Sequence, residues 1–280
     1  MRSIRIGLTI GALCLGSSNA FAAEREVSLL TVNAWGLPAP IAPPRKPRLA
    51  DVGRWITGRQ DDFVAMQEVW DGAVKHMDLP GMVRSSGRGD DGLAFRTSWT
   101  VESTAQGRFE RARGWDGFKQ KGWLRAQRRA EDGTPLCLVV THMQAGKGRA
   151  NGRVRASQVV EVLEAVSGCE GPLVVMGDFN LDERRPEDEL ALRRLTQAGL
   201  SDAGRVTQNL RGTWGPDAFR FDRAYVRGGD GWAIEPRSVE VFDPSSLSEG
   251  RAPTDHAPVR VVVSIKPTLS AGVAVVAAEW

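Results

Sequence analysis

Oxygen- and nitrogen-bearing side chains recur at the ends of apolar, β-branched runs along this 280-residue chain. The segments are Thr31-Val32-Asn33, Met66-Gln67-Glu68, Val140-Thr141-His142, Met176-Gly177-Asp178-Phe179-Asn180 and Thr254-Asp255-His256. Most read as a buried strand that stops, with a polar ligand next. Asn33, Glu68, Asp178 and Asn180 offer oxygen donors, which suit hard cations such as Mg2+, Mn2+ or Ca2+. The Cys-His spacing of a zinc site is missing. The i, i+2 spacing of Asp178 and Asn180 puts both side chains on one side of an extended backbone. One can then hold a metal or water and the other a phosphate oxygen. Taken alone, Gly-Asp-Phe-Asn suits a plain strand-to-loop turn; the set of segments carries the chemistry.

Two of the three histidines, His142 and His256, adjoin strand-like segments. One imidazole can take a proton from an activated water, and a second can donate to a leaving oxygen or to charge developing on phosphorus. A base histidine needs an orienting carboxylate. Asp222, a polar interruption of the strand-like run 219–226, is the candidate. His76 lies in a polar stretch without a motif and reads as an exposed residue. Nucleophile-elbow, P-loop and dinucleotide-binding signatures are missing. Gly87-Arg88-Gly89 and Gly146-Lys147-Gly148 read as basic surface loops.

The elements that must position these groups follow from periodicity. Strands are predicted at 28–33, 63–68, 93–96, 101–109, 122–128, 136–142, 173–177, 219–226, 238–242 and 259–265. Asp132-Gly133 suits a hairpin turn. The proline-rich 38–47 stretch is predicted to be loop throughout. Helices are predicted from Arg48, over 153–166 with Val154, Val159, Val162, Leu163 and Val166 inward and Gly168 as the stop, and over 186–198. Apolar runs covered on both sides imply an α/β fold: two stacked mixed sheets with outer helices, a four-layer α/β/β/α sandwich.

Residues 1–22 read as a secretory signal, with Arg2 and Arg5, an apolar 6–15 core and Ala20-Phe21-Ala22 as the cleavage site. One domain is expected over 23–280, exported to the periplasm or secreted, soluble and monomeric. Losing the leader's two arginines takes the formal charge from +3 to +1, which singles out neither nucleic acid nor membrane. Cys137 and Cys169 remain, either bridged or as two buried thiols. The apolar 273–276 tail is too short to span a bilayer.

In this order, Asn33, Gln67-Glu68, Thr141-His142, Gly177-Asp178-Phe179-Asn180, Asp222 and Asp255-His256 resemble the metal-dependent endonuclease/exonuclease/phosphatase superfamily, across nearly all of the chain after the leader. The resemblance implies a deoxyribonuclease-like sandwich and Mg2+-dependent cleavage of a phosphodiester by activated water. It implies Glu68, Asn33 and Asp255 as metal-linked residues and Asp178 and Asn180 as the pair orienting water and phosphate. It also implies His256 as general base with Asp222, and His142 as the acid or phosphate-stabilising histidine, with the roles of Asp178 and His256 exchangeable. Asn33-Ala34-Trp35-Gly36-Leu37-Pro38, Gln67-Glu68-Val69-Trp70, Lys121-Gly122 and Thr141-His142-Met143-Gln144-Ala145 resemble neutral sphingomyelinases, which adds Lys121 and Trp35 as substrate-binding residues. Arg223 after Asp222 and Pro253-Thr254 before Asp255 depart from that pattern, and no long apolar hairpin is visible.

The expected partner is a phospholipid or other phosphodiester, met at a membrane surface. Trp115, Trp123, Trp214 and Trp232 read first as packing residues, and otherwise as groups for an interface or a quaternary ammonium. The rival is an exported nuclease whose groove would draw on Arg125, Arg128, Arg129, Lys147, Arg149, Arg153 and Arg155. A non-catalytic binding protein on this fold is a third reading.

Overall fold

The computed structural model describes residues 23–84 and 92–268. The expected leader, Gly87-Arg88-Gly89 and the 273–276 stretch lie outside the described residues. The strands are, in chain order, β1 (Arg25–Asn33), β2 (Phe63–Gln67), β3 (Met82–Arg84), β4 (Ala94–Thr97), β5 (Thr100–Arg108), β6 (Gly122–Arg129), β7 (Pro135–His142), β8 (Leu173–Asp178), β9 (Ser201–Asp202), β10 (Asp222–Arg227), β11 (Trp232–Val241) and β12 (Val259–Pro267). They form two six-stranded mixed sheets, ordered β11-β12-β1-β2-β4-β3 and β5-β6-β7-β8-β10-β9.

Residues of one parity face inward from each sheet and build the central core: Val27 and Leu29, Phe63 and Ala65, Leu138 and Val140, Val174 and Met176, Ala224 and Val226. The other parity packs against helices. Leu30, Val32, Val64 and Met66 meet α1 (Arg45–Thr57) through Leu49, Val52 and Ile56. Val139, Leu173 and Val175 meet α2 (Arg149–Val166) and α3 (Glu189–Gln197) through Val159, Val162 and Leu195. The α/β/β/α layering expected from the long apolar runs is therefore present. A short α4 (Ala203–Val206) follows β9. No helix among the described residues is long and apolar enough to cross a membrane.

The boundaries differ from expectation where proline misleads. Helix α1 begins at Arg45, so Pro47 lies in its first turn, where an amide would lack an intrahelical partner anyway. Strand β11 extends back to Trp232 through Pro236, accommodated by a register shift between Pro236 and Ser238. Residues 186–188 form a 3-10 turn ahead of α3, and α2 starts at Arg149 rather than 153.

Cys137 and Cys169 are bridged, with Cα atoms 5.5 Å apart and 32 residues of separation. The bond ties β7 to the segment that follows α2. Replacing both cysteines with alanine is expected to cost about 4 kcal/mol of stability for a loop of this size. Urea unfolding of the double variant checks this, and alkylation mass with and without reductant checks the bond itself.

Candidate active site

The inward parity that fills the core ends in polar residues at one edge of the sandwich. Asn33 closes β1 and aligns with Gln67 of the parallel β2. His142 closes β7 opposite Asp178 of the parallel β8, and Asp222 opens the antiparallel β10 opposite the same Asp178. Val259 of β12 pairs with Thr31, which brings the preceding Thr254-Asp255-His256 segment to this edge. There the Thr254 hydroxyl donates to the Asn33 carbonyl at 2.6 Å.

Three loops bend sharply to reach the site. Trp35, Glu68 and Asn180 have left-handed φ values of 48°, 59° and 51°. For Trp35 and Glu68 such a backbone costs on the order of 1 kcal/mol or more. Gly36 is required by close approach, since a Cβ there would lie 1.9 Å from the Glu68 carbonyl oxygen.

Asp178 is the hub. Its Oδ2 accepts from Asn33 Nδ2 at 3.2 Å and lies 3.4 Å from His142 Nε2 and 3.9 Å from His256 Nε2. Its Oδ1 accepts from the Asn180 amide at 3.0 Å. Asn33 Nδ2 also donates to Glu68 Oε1 at 3.0 Å, while its Oδ1 caps the Trp35 amide at 2.9 Å. Asn33, expected as a metal ligand, thus bridges two carboxylates, and offering its oxygen to a cation requires the amide to turn over. His256 Nδ1 meets Asp222 Oδ2 at 2.8 Å, the expected histidine–carboxylate pair.

Burial dominates the electrostatics. It raises Glu68 to about 7, against Lys121 and Asn33, and raises Asp178 to about 6, against His256. Burial would also lower His256, but Asp222 and Asp178 reverse that and raise it to about 10. His142 is held well below its ordinary value by burial, with Lys121 and His256 adding to the effect.

The remaining expected residues stand around this cluster. Lys121, Trp35 and Asp255 line the same cleft. Lys121 Nζ donates to the Met143 carbonyl at 2.9 Å and sits 3.1 Å from Asp116, while Asp255 Oδ2 accepts from Trp214 Nε1 at 3.2 Å. Asn180 Nδ2 donates to the same Met143 carbonyl at 3.1 Å. His76 lies apart, half-exposed in the Ala73–His76 turn. Arg223 turns away from the cleft and is ion-paired with Glu183 and Asp202, while its Nη2 donates to the Leu181 carbonyl. It thereby anchors the loop after Asn180.

Sequence reasoning passes over Thr213 and Asp116. The Thr213 hydroxyl accepts from the Phe221 and Asp222 amides at 3.1 Å each and so places Asp222. Lone threonines and acids in loops carry no spacing signal. Trp214 reads first as packing, but it lines the cleft and packs on His256, with ring centroids 6.1 Å apart. Trp123 and Trp232 do pack partly buried against the cores.

The donor set fits a divalent cation. Donor atoms of Glu68, His142 and Asp178 lie within 4.8 Å of one another, and Glu68 Oε2 is buried with no hydrogen-bond partner among the described residues. Crowded buried carboxylates, which hold protons to unusually high pH, gain most from a positive charge.

The endonuclease/exonuclease/phosphatase family model matches residues 30–256, most of the chain, and the chain belongs to that family. Among solved structures it resembles D. rerio TDP2 complexed with a single-strand DNA product, with a TM-score of 0.66 and 18% identity over 85% of this chain and 98% of that one. It resembles a mutant Staphylococcus aureus beta toxin with bound magnesium ions at 0.64 and 16%, over 85% and 99%. A family protein from Bacteroides vulgatus aligns at 0.67 and 19%, over 85% and 98%. No curated protein matches by sequence.

Glu68→Gln is expected to weaken Mg2+ binding at least tenfold, whereas His256→Ala leaves it largely intact; isothermal titration checks both. The folded chain holds the Glu68 proton up to about pH 7, so that stabilisation is lost as pH rises, when the carboxylate becomes free for a cation. Added Mg2+ should therefore raise the melting temperature more at about pH 8 than at about pH 5.5. An equal shift at both would show that these carboxylates do not bind the ion.

Proposed function

We propose that this member of the endonuclease/exonuclease/phosphatase family is an exported, Mg2+-dependent phosphodiesterase acting on phospholipid head groups. Sphingomyelin is the foremost substrate, split into ceramide and phosphocholine. The observation that carries this reading is the apolar mouth of the cleft. Around a cavity of ≈ 650 Å³ that reaches Glu68, His142, Asp178 and His256 stand Trp115, Phe118 and Ile41. These are 83%, 81% and 63% exposed. Large apolar side chains left in water beside a polar centre suit a lipid surface better than a polyanion. Trp115 and Phe118 pack on each other at 5.9 Å. Asp116 between them accepts from the Ala145 amide at 2.6 Å, so the turn is fastened next to Lys121.

The basic groove expected of a nuclease finds less support. Arg128 and Arg155 are fully buried, Arg125 donates to the Ala165 carbonyl, and Arg129 pairs with Glu102. Of that basic set, only Lys147 lines the cleft.

Glu68 and Asp178 are the residues that would hold the cation, with Asn33 once its amide turns over. The cation would offset charge on the phosphoryl oxygens. Near neutral pH, Asp178 is ionised and is the better base for the attacking water, while His256, kept protonated by Asp222, is the donor to the leaving oxygen. This exchanges the roles first expected of the two. As the water oxygen bonds to phosphorus, the ester P–O bond breaks, the water proton passes to Asp178 and the leaving oxygen takes one from His256. His142, neutral because buried, is left to hydrogen-bond a phosphoryl oxygen rather than to act as acid.

The protein without its leader, given Mg2+, is expected to release phosphocholine from sphingomyelin vesicles, to stop with EDTA and to fail with His256→Ala. Cleavage of plasmid DNA with none of lipid would reverse the assignment. A Trp115→Ala/Phe118→Ala variant should lose at least tenfold on vesicles yet keep its rate on soluble bis(4-nitrophenyl) phosphate. Equal losses on both would reduce the rim to a structural role.

A further inference from the structure

Six arginines are buried among the described residues: Arg48, Arg128, Arg155, Arg185, Arg220 and Arg223. Four have clear partners. Arg48 donates to backbone carbonyls, including those of Trp35 and Leu37. Arg155 pairs with Asp188, and Arg220 and Arg223 pair with Asp202 and Glu183. Arg128 has no hydrogen-bond partner among the described residues, but it lies over the Phe95 ring between the sheets, away from the cleft. Arg185 alone combines a buried, unpartnered guanidinium with a place in the cleft wall. Its Nε and Nη1 have no hydrogen-bond partner among the described residues, and it is 8% exposed.

The Arg185 guanidinium lies over two aromatic rings, its central carbon 4.2 Å from the centroid of Phe219 and 4.6 Å from that of Phe221. Phe221 stacks on Trp214 at 5.5 Å, and Trp214 packs on His256. This ring ladder runs from Arg185 to the catalytic histidine. The acids nearest to it in charge are committed elsewhere: Asp188 to Arg155, Asp182 to Arg184 and the Arg220 amide, and Glu187 to the Gly148 amide. Lys147 reaches over Phe219 at 5.2 Å, is 68% exposed and has only a loose contact with Asp217 at 3.8 Å. A buried guanidinium without a partner is costly, and a planar fork of donors matches a phosphate oxyanion.

We propose that Arg185, with Lys147 beside it, forms an anion-binding subsite of the cleft that takes phosphate oxygens of the substrate. The inference rests on the reading of the cleft as a phosphoester site but not on the lipid. Two sources share the chemistry: the scissile phosphate itself, or a second phosphate group on the same substrate.

Inorganic phosphate titrated into the metal-free protein separates this from lipid hydrolysis. Arg185→Met, which keeps the bulk over the rings and removes the charge, is expected to weaken phosphate binding about tenfold to a hundredfold. Its melting temperature should hold or rise, because an unpaired buried charge has gone, and Arg185→Lys should recover part of the affinity. Unchanged phosphate affinity with a lower melting temperature would overturn the proposal and make Arg185 a packing residue. With Mg2+ present, an equal loss of kcat/KM on bis(4-nitrophenyl) phosphate and on a lipid bearing an additional phosphomonoester assigns the scissile phosphate. A loss confined to the latter assigns the second phosphate. Phosphate binding that depends on Arg185 in a protein inactive on vesicles would leave the subsite standing and refute only the lipid reading.

Discussion

A buried carboxylate that faces another carboxylate needs a surrounding that will not relax, and Asp178 has one. The Asn33 amide group, the Asn180 backbone N–H and two imidazoles all converge on it. They come from β1, β7, the loop after β8 and the segment before β12, so neither sheet can shift against the other without opening this cluster. The apolar core between the sheets sets the separation, and the polar edge inherits it. Precision at the site is therefore a by-product of close packing some residues deeper, at Val140, Met176 and Val261.

The alternation of two explains why so much of this was visible in the amino-acid sequence. A strand with Leu138 and Val140 facing inward must also present His142 inward, and Met176 does the same for Asp178. Apolar runs on both parities implied helices outside, and α1, α2 and α3 are there. Proline hid the true starts of α1 and β11, because its usual reading as a breaker ignores positions where its amide would be idle. Arginine burial was the larger gap. Arg128, Arg155 and Arg223 look like surface charge in one dimension, whereas pairing or ring contacts let the fold enclose them. Nothing local in the sequence distinguishes Arg185 from its neighbour Arg184, although one is enclosed and the other is engaged by Asp182.

The left-handed turns at Trp35, Glu68 and Asn180 belong to the same logic. Each redirects the chain just beyond a regular strand, where continued pairing would carry the side chain past the cluster. The disulfide and the Glu183–Arg223–Asp202 network brace the second sheet, which carries the Asn180 turn. Local strain near the chemistry is thus balanced by stiffness in the layer behind it.

The turn that carries Trp115 and Phe118 is fastened at its root and bare at its tip. On the proposed reading, two rings and an isoleucine give only a light hold on a bilayer, strong enough to confine the molecule to two dimensions but weak enough to release it. Turnover would then scale with how densely the substrate is packed in the leaflet rather than with its bulk concentration. Diluting it with inert lipid would slow the enzyme even when every vesicle is occupied.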